Sequence, residues 1–217
     1  MSPDLRNATY EQVIDFVFDH YPEDEVDDKW YWKLEDDVQI DPRQAIGFLA
    51  RLCTHTDEVV TQFTLPQIAE GVNYLFGAGG RSEFGAQLWN PEVPWPERRG
   101  CIQAIPNLYA HVFERDSEGI GGCAYMLWDA IAYDYYCGNR DPAKSAEDAR
   151  VQDAMFEALT SMLRSNHPET LRGAIHGLGH LQHRESNRAI RELLSSSRDL
   201  TPEVRGYAAQ VLEGHFQ

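Results

Sequence analysis

Apolar residues recur along this chain at helical spacing, and no segment alternates with a period of two over a β-branched run. Val13, Ile14, Phe16, Val17 and Phe18 supply the buried side of a first helix, which Thr9 can cap, which runs to about His20 and which Pro22 ends. Val26, Trp30 and Leu34 fall at i, i+4 and i+8 and predict one apolar stripe on a second, acidic helix from Glu23 to about Glu35. Asp41-Pro42 starts the next helix with a capping carboxylate and a proline at the first helical position; Ala45, Ile46, Phe48, Leu49 and Leu52 fill its core face. Ile68, Val72, Leu75 and Phe76 mark a helix from Leu65 to Phe76 that the Gly77-Ala78-Gly79-Gly80 run stops.

Beyond that stop the pattern loosens. Gly77, Gly79, Gly80, Gly85, Pro91, Pro94 and Pro96 punctuate a crossover with room for one short helical stretch around Glu83 to Leu88. A helix from about Glu97 to Glu114 carries Pro106 in its middle, where the missing donor and the ring clash predict a kink or break. Gly119-Ile120-Gly121-Gly122 reads as a turn, and Cys123 to Cys137 is apolar nearly all round, which predicts a place at the centre of the fold. A polar loop from Gly138 to Ser145, a helix from Ala146 to Arg164, a short helix from Glu185 to Ser195 and two flanking helices complete the chain. The expected fold class is all-α. An acidic helical region (1–80), a crossover (81–96) and a second helical region (97–217) are expected to form one continuous domain.

The last quarter repeats itself. Pro168 and Pro202, Ala174 and Ala208, and Leu178 and Leu212 are each 34 residues apart, a period typical of stacked helical hairpins. Leu171-Arg172-Gly173-Ala174-Ile175-His176-Gly177-Leu178-Gly179-His180-Leu181 and Val204-Arg205-Gly206-Tyr207-Ala208-Ala209-Gln210-Val211-Leu212 resemble the second helix of HEAT-like repeats, which follows a Pro and reads roughly Val-Arg-x-x-Ala-Ala-x-x-Leu-Gly. The resemblance covers about residues 150–217. It implies antiparallel helical hairpins in a HEAT- or armadillo-like α-α superhelix, with a divergent N-terminal half, and a scaffold that offers a binding surface.

Charge narrows the partners. The chain carries a formal net charge of −16. Residues 1–60 contribute −10 of it, residues 61–142 contribute −5 and residues 143–217 only −1. The N-terminal end therefore repels phosphate backbones and anionic lipid and attracts basic protein surfaces, so neither nucleic acid nor membrane is an expected partner. Met1-Ser2-Pro3-Asp4-Leu5-Arg6 leads into an acidic amphipathic segment, and no apolar stretch reaches the roughly 20 residues a bilayer span needs. Cys53, Cys101, Cys123 and Cys137 contain no C-x-x-C pair and read as reduced, buried thiols. These features predict a cytoplasmic protein.

Catalytic motifs are scarce. His176, His180 and His183 fall at i, i+4 and i+7 on one predicted helix, and two imidazoles four apart can share a metal, as in the H-E-x-x-H zinc helix. The residues between are Gly177-Leu178-Gly179, without that motif's glutamate, and i to i+7 spans about 10 Å along the axis. Iron-binding hydroxylases built from HEAT-like repeats use His-Glu pairs, whereas His176 is followed by Gly177 and His180 by Leu181. The expectation is that no metal is bound: one of the first two histidines faces the neighbouring repeat and His183 is exposed at the helix C-terminus. The Gly77–Gly80 and Gly119–Gly122 runs do not match G-x-x-x-x-G-K-[ST], and no G-x-S-x-G elbow occurs. No cofactor is expected.

One segment combines acid with aromatic rings. Successive residues on a helix point about 100° apart, so Trp30, Tyr31 and Trp32 cannot share one core stripe, and at least one ring should lie at the surface among carboxylates. Aromatic anchors rimmed by charge concentrate binding energy, which makes Asp27, Asp28, Trp30, Tyr31, Trp32, Asp36 and Asp37 the candidate partner-binding set. The expected function is a non-catalytic protein-interaction module, in its specific form an acidic inhibitor or immunity-type protein masking a basic partner. The alternatives are a metal-dependent or lyase-like enzyme using His176 and His180, and a peptide-binding scaffold or assembly factor.

Overall fold

A computed structural model of the chain describes residues 3–21, 29–34, 37–77, 82–115 and 117–215, with only the backbone described for residues 117–121. Among the described residues every extended element is helical; the only pairing of strand type is an isolated parallel bridge between Asp4 and Gln39. No helix among them is long and apolar enough to cross a membrane.

Three helices of the N-terminal half start where their local signals predict. Helix α1 (Tyr10–Phe18) begins in a capping box in which Thr9 and Gln12 satisfy each other's backbone amides. Helix α2 (Pro42–Thr54) starts where the Asp41 carboxylate accepts from the amides of Arg43 and Gln44, both at 3.0 Å. A single turn, α3 (Asp57–Val60), leads to α4 (Leu65–Phe76), which has a second capping box at Thr64 and Gln67 and ends in Gly77 at φ 85°. That left-handed cap is open to glycine without strain.

The crossover is anchored by one cation. Gly85–Trp89 forms a 3₁₀ turn, and α5 (Trp95–Ala104) buries Arg98 completely. Its guanidinium donates to the carbonyls of Val93 at 2.9 Å and Leu88 at 3.1 Å and pairs with Glu147. A buried guanidinium is tolerated only when its donors are used, and here they tie the irregular segment to the next layer.

Pro106 breaks the predicted Glu97–Glu114 helix. A short α6 (Pro106–Leu108) runs into a π turn, Tyr109–Phe113, whose Tyr109 hydroxyl donates to the Ala124 carbonyl at 2.6 Å. Helix α7 (Ser117–Tyr136) then takes in Gly119–Gly122, so the expected turn there is instead the first part of a helix. It packs against α4 and α9, yet Met126, Tyr133 and Tyr136 remain exposed, so it is buried on two sides and not all round.

Helices α8 (Ala146–Met162), α9 (Pro168–Leu181), α10 (Ser186–Ser195) and α11 (Pro202–Leu212) close the chain, with Pro168 and Pro202 each at the first position of its helix. Helix α9 touches α7, α8, α10 and α11. Its approach to α7 depends on two glycines. A Cβ at Gly177 would lie 2.7 Å from both Leu159 Cδ2 and Trp128 Cβ, and one at Gly173 would lie 2.9 Å from Tyr109 Cε1.

Two outcomes test this packing. Gly177→Ala should destabilise the protein by about 1–3 kcal/mol despite alanine's better helix propensity, because the added methyl meets close-packed neighbours. Gly206→Ala on α11, where a Cβ meets nothing within 4 Å, should stabilise by up to about 1 kcal/mol. Opposite signs in denaturant melts are expected. Burial pushes the thiols of Cys53, Cys101 and Cys123 up from their ordinary value, and Cys137 is the exposed cysteine. A thiol reagent should therefore modify Cys137 alone in the native protein and all four in denaturant, as read by mass spectrometry.

Candidate functional site

The acidic, aromatic segment forms no long helix within its described part. Trp30–Lys33 is a single 3₁₀ turn, so the stripe expected of a helix from Glu23 to Glu35 is replaced by a local knot of rings. Trp30 stacks on His20 with ring centres 3.9 Å apart and lies 4.8 Å from the Tyr74 ring, and Tyr31 lies 5.7 Å from Tyr74. Both are partly buried against the core. Burial, with help from the nearby Glu70 charge, pushes the Tyr31 hydroxyl up to about 12. Lys29 pairs with the largely buried Glu70 carboxylate and pins the turn to α4. Trp32 turns outward, half exposed at 50%, edge-on to Tyr31, and Asp37 is exposed. Asp27, Asp28 and Asp36 lie outside the described residues.

A second cluster forms where α9 crosses α7. His176 and His180 are one turn apart on α9 and almost wholly buried, at 2% and 3% exposure. Asp129 of α7 meets both: the His180 Nε2–H donates to Asp129 Oδ1 at 2.9 Å, and His176 Nε2 lies 3.9 Å from the same oxygen. The other ring nitrogen of His176, Nδ1, shares a 2.7 Å hydrogen bond with the Tyr207 hydroxyl of α11, which in turn lies 2.8 Å from the Tyr125 hydroxyl. Tyr125 also covers the His176 ring at 3.9 Å, and Tyr133 and Tyr136 approach His180 at 5.5 and 5.4 Å. The result is a buried imidazole pair beside one carboxylate, enclosed by four tyrosines.

Burial sets the electrostatics. It lowers His176 to about 4, with further repulsion from His180 and a partly offsetting pull from Asp129. Burial works to raise Asp129, but the His180 hydrogen bond and the two imidazoles outweigh it and hold the carboxyl below its usual value. Burial and the Tyr125 hydrogen bond push the Tyr207 hydroxyl well up from 10.0. At neutral pH the cluster therefore presents a neutral His176 and an ionised Asp129.

His183 does not belong to it. Helix α9 ends at Leu181, Gln182 takes a left-handed conformation at φ 52°, and His183 lies in the turn beyond. It is buried, not exposed as its predicted place at a helix end suggested. Its Nε2 meets Asp153 at 3.1 Å, its Nδ1 accepts the Glu185 amide at 3.2 Å, and its ring stacks on Phe156 at 4.1 Å. Both nitrogens are used in shaping the turn.

Sequence reasoning missed Asp129, Tyr125 and Tyr207. The available signal was a carboxylate inside the apolar Cys123–Cys137 run, where an acid needs a buried partner. Thirty-four residues after Gly173, His176 and His180 stand Tyr207, Gln210 and Gly214. The 34-residue pattern read from the sequence does not call for histidine at these positions.

The depressed His176 makes a pH prediction. Its folded value, about 4, lies below the ordinary 6.5, so between these the unfolded chain binds a proton that the native state refuses. Stability should fall as pH drops from about 6.5 to about 4, by roughly 3 kcal/mol from this residue, and level off below. His180, Asp129 and Arg172 bear on the same ring, and the loss due to Asp129 lies lower, below 3.8. His176→Gln should flatten the upper window in denaturant melts; an unchanged slope would assign the effect elsewhere. No protein-family model, curated protein or solved structure matches this chain.

Proposed function

We propose that this protein is a non-catalytic protein-binding module, a HEAT-like helical superhelix whose acidic N-terminal end docks a partner with a basic surface, in the manner of an inhibitor or immunity-type protein. The observation that carries the reading is Trp32: a half-exposed indole on a turn that Trp30, Tyr31 and the Lys29–Glu70 pair hold against the core. Ordering such a ring in advance lowers the entropic cost of using it as an anchor. In sequence it falls within residues 1–60, the part of the chain with a net charge of −10, which speeds encounter with a basic surface. The repeated Pro-led helices α9 and α11 support the superhelix and form a nearly neutral scaffold at the other end.

Affinity capture with the full chain at low and high salt tests this. The wild type should retain a basic partner at low salt and release it as salt rises. Reversing Asp27, Asp28, Asp36 and Asp37 to lysine should abolish that salt dependence, and Trp32→Ala should weaken binding of the same partner by about tenfold or more. A partner held equally by all three proteins would sink the reading.

A further inference from the structure

We infer that Asp129, His176 and His180 form a binding site for one divalent first-row transition metal ion of the zinc type, independent of the docking surface. Their donor atoms all lie within 4.8 Å of one another, contributed by two helices that pack directly together. Two nitrogens and one carboxylate oxygen suit zinc and its neighbours; calcium and magnesium take oxygen sets.

The distances fit with small adjustments. Bonds of 2.0–2.1 Å in tetrahedral geometry separate donor atoms by about 3.3 Å. Asp129 Oδ1 lies 2.9 Å from His180 Nε2 and 3.9 Å from His176 Nε2, one on each side of that value. Three protein donors leave a fourth position for water or another ligand. The Asp129 side chain, 22% exposed beside the exposed Tyr133 and Tyr136, provides the route in from solvent.

The second observation is the state of His176. Its Nε2 is buried and has no hydrogen-bond partner. If Nε2 carries the proton, Asp129 lies beyond hydrogen-bonding reach; if Nδ1 carries it, a bare lone pair faces a carboxylate across 3.9 Å. Either arrangement leaves a buried polar atom unsatisfied, which is costly in a protein interior. A cation between the two satisfies both.

At His176 the surroundings select the state a metal requires. When Nδ1–H donates to the Tyr207 oxygen, itself held by Tyr125, the ring is fixed with Nε2 free to ligate, the usual outer-shell arrangement of a metal-bound histidine. His180 now uses Nε2–H on Asp129; on binding, Nε2 takes the metal and the ring carries its proton on Nδ1. No net oxidation or reduction is involved.

Titrating chelator-treated full-length protein with zinc by calorimetry tests the site, with magnesium and calcium as controls. One zinc per chain is expected, with a rise in melting temperature that grows with zinc concentration, and no response to the controls. Asp129→Asn and His176→Gln should weaken zinc by more than about a hundredfold, and Tyr207→Phe by about ten- to a hundredfold. His183→Gln should leave the affinity unchanged. Circular dichroism of the metal-free variants establishes that each is folded; if a histidine variant is not, Asp129→Asn, Tyr207→Phe and the wild-type stoichiometry decide. Absence of saturable one-to-one zinc binding in the wild type, or an unchanged affinity in folded Asp129→Asn, overturns the assignment. Equal loss in His183→Gln would overturn it too, by pointing to general histidine binding.

Discussion

The close approach of α9 to α7 is the constraint on which the rest of the structure turns. Gly173 and Gly177 stand where any side chain would collide with Tyr109, Trp128 or Leu159, so the two helices meet with no ridge between them. Each glycine lowers helix propensity by about 1 kcal/mol relative to alanine, a cost that packing must offset. Three positions after each glycine comes a histidine, His176 and His180, carried by the same turns to the flank of the contact. A bulkier residue at either glycine would move both imidazoles away from Asp129. Packing and site geometry are thus one requirement here.

Around that contact, buried polar groups tie helix ends together. The Glu114 carboxylate, at the end of the π turn, accepts from Ser165 at 2.8 Å and Thr170 at 2.7 Å and so positions the start of α9. Arg98 does the same for the crossover, and Gln152 donates to the Leu181 carbonyl at the other end of α9. These bonds set helix ends in place, as burial of an unpaired donor or acceptor would be costly. At the contact itself, His176 Nε2 and Trp128 Nε1 depart from the pattern: each is buried without a hydrogen-bond partner.

The molecule uses acid in two ways. Near the N-terminus carboxylates are numerous, mostly solvated where they are described, and act through summed charge. On α7 a single carboxylate, partly buried beside two imidazoles, acts through geometry. The first kind of feature is visible in composition. The second depends on three residues, one of them some 50 positions from the others in sequence.

Helix starts and stops were legible in the chain because their causes are local: Thr9, Asp41-Pro42, Thr64 and Gly77 act within four residues of themselves. So was the break at Pro106, which follows from a missing donor. The Gly119–Gly122 run, the turn at Trp30–Lys33 and the position of His183 were not legible in this way. Glycine permits both turn and helix, and an aromatic triplet takes its shape from the rings it meets. The sequence by itself determined an all-helical chain, an acidic end and a pair of histidines one turn apart. Only the tertiary structure decided that Asp129 and Tyr207 face those histidines, because helix packing brings together side chains whose spacing along the chain carries no periodic signal.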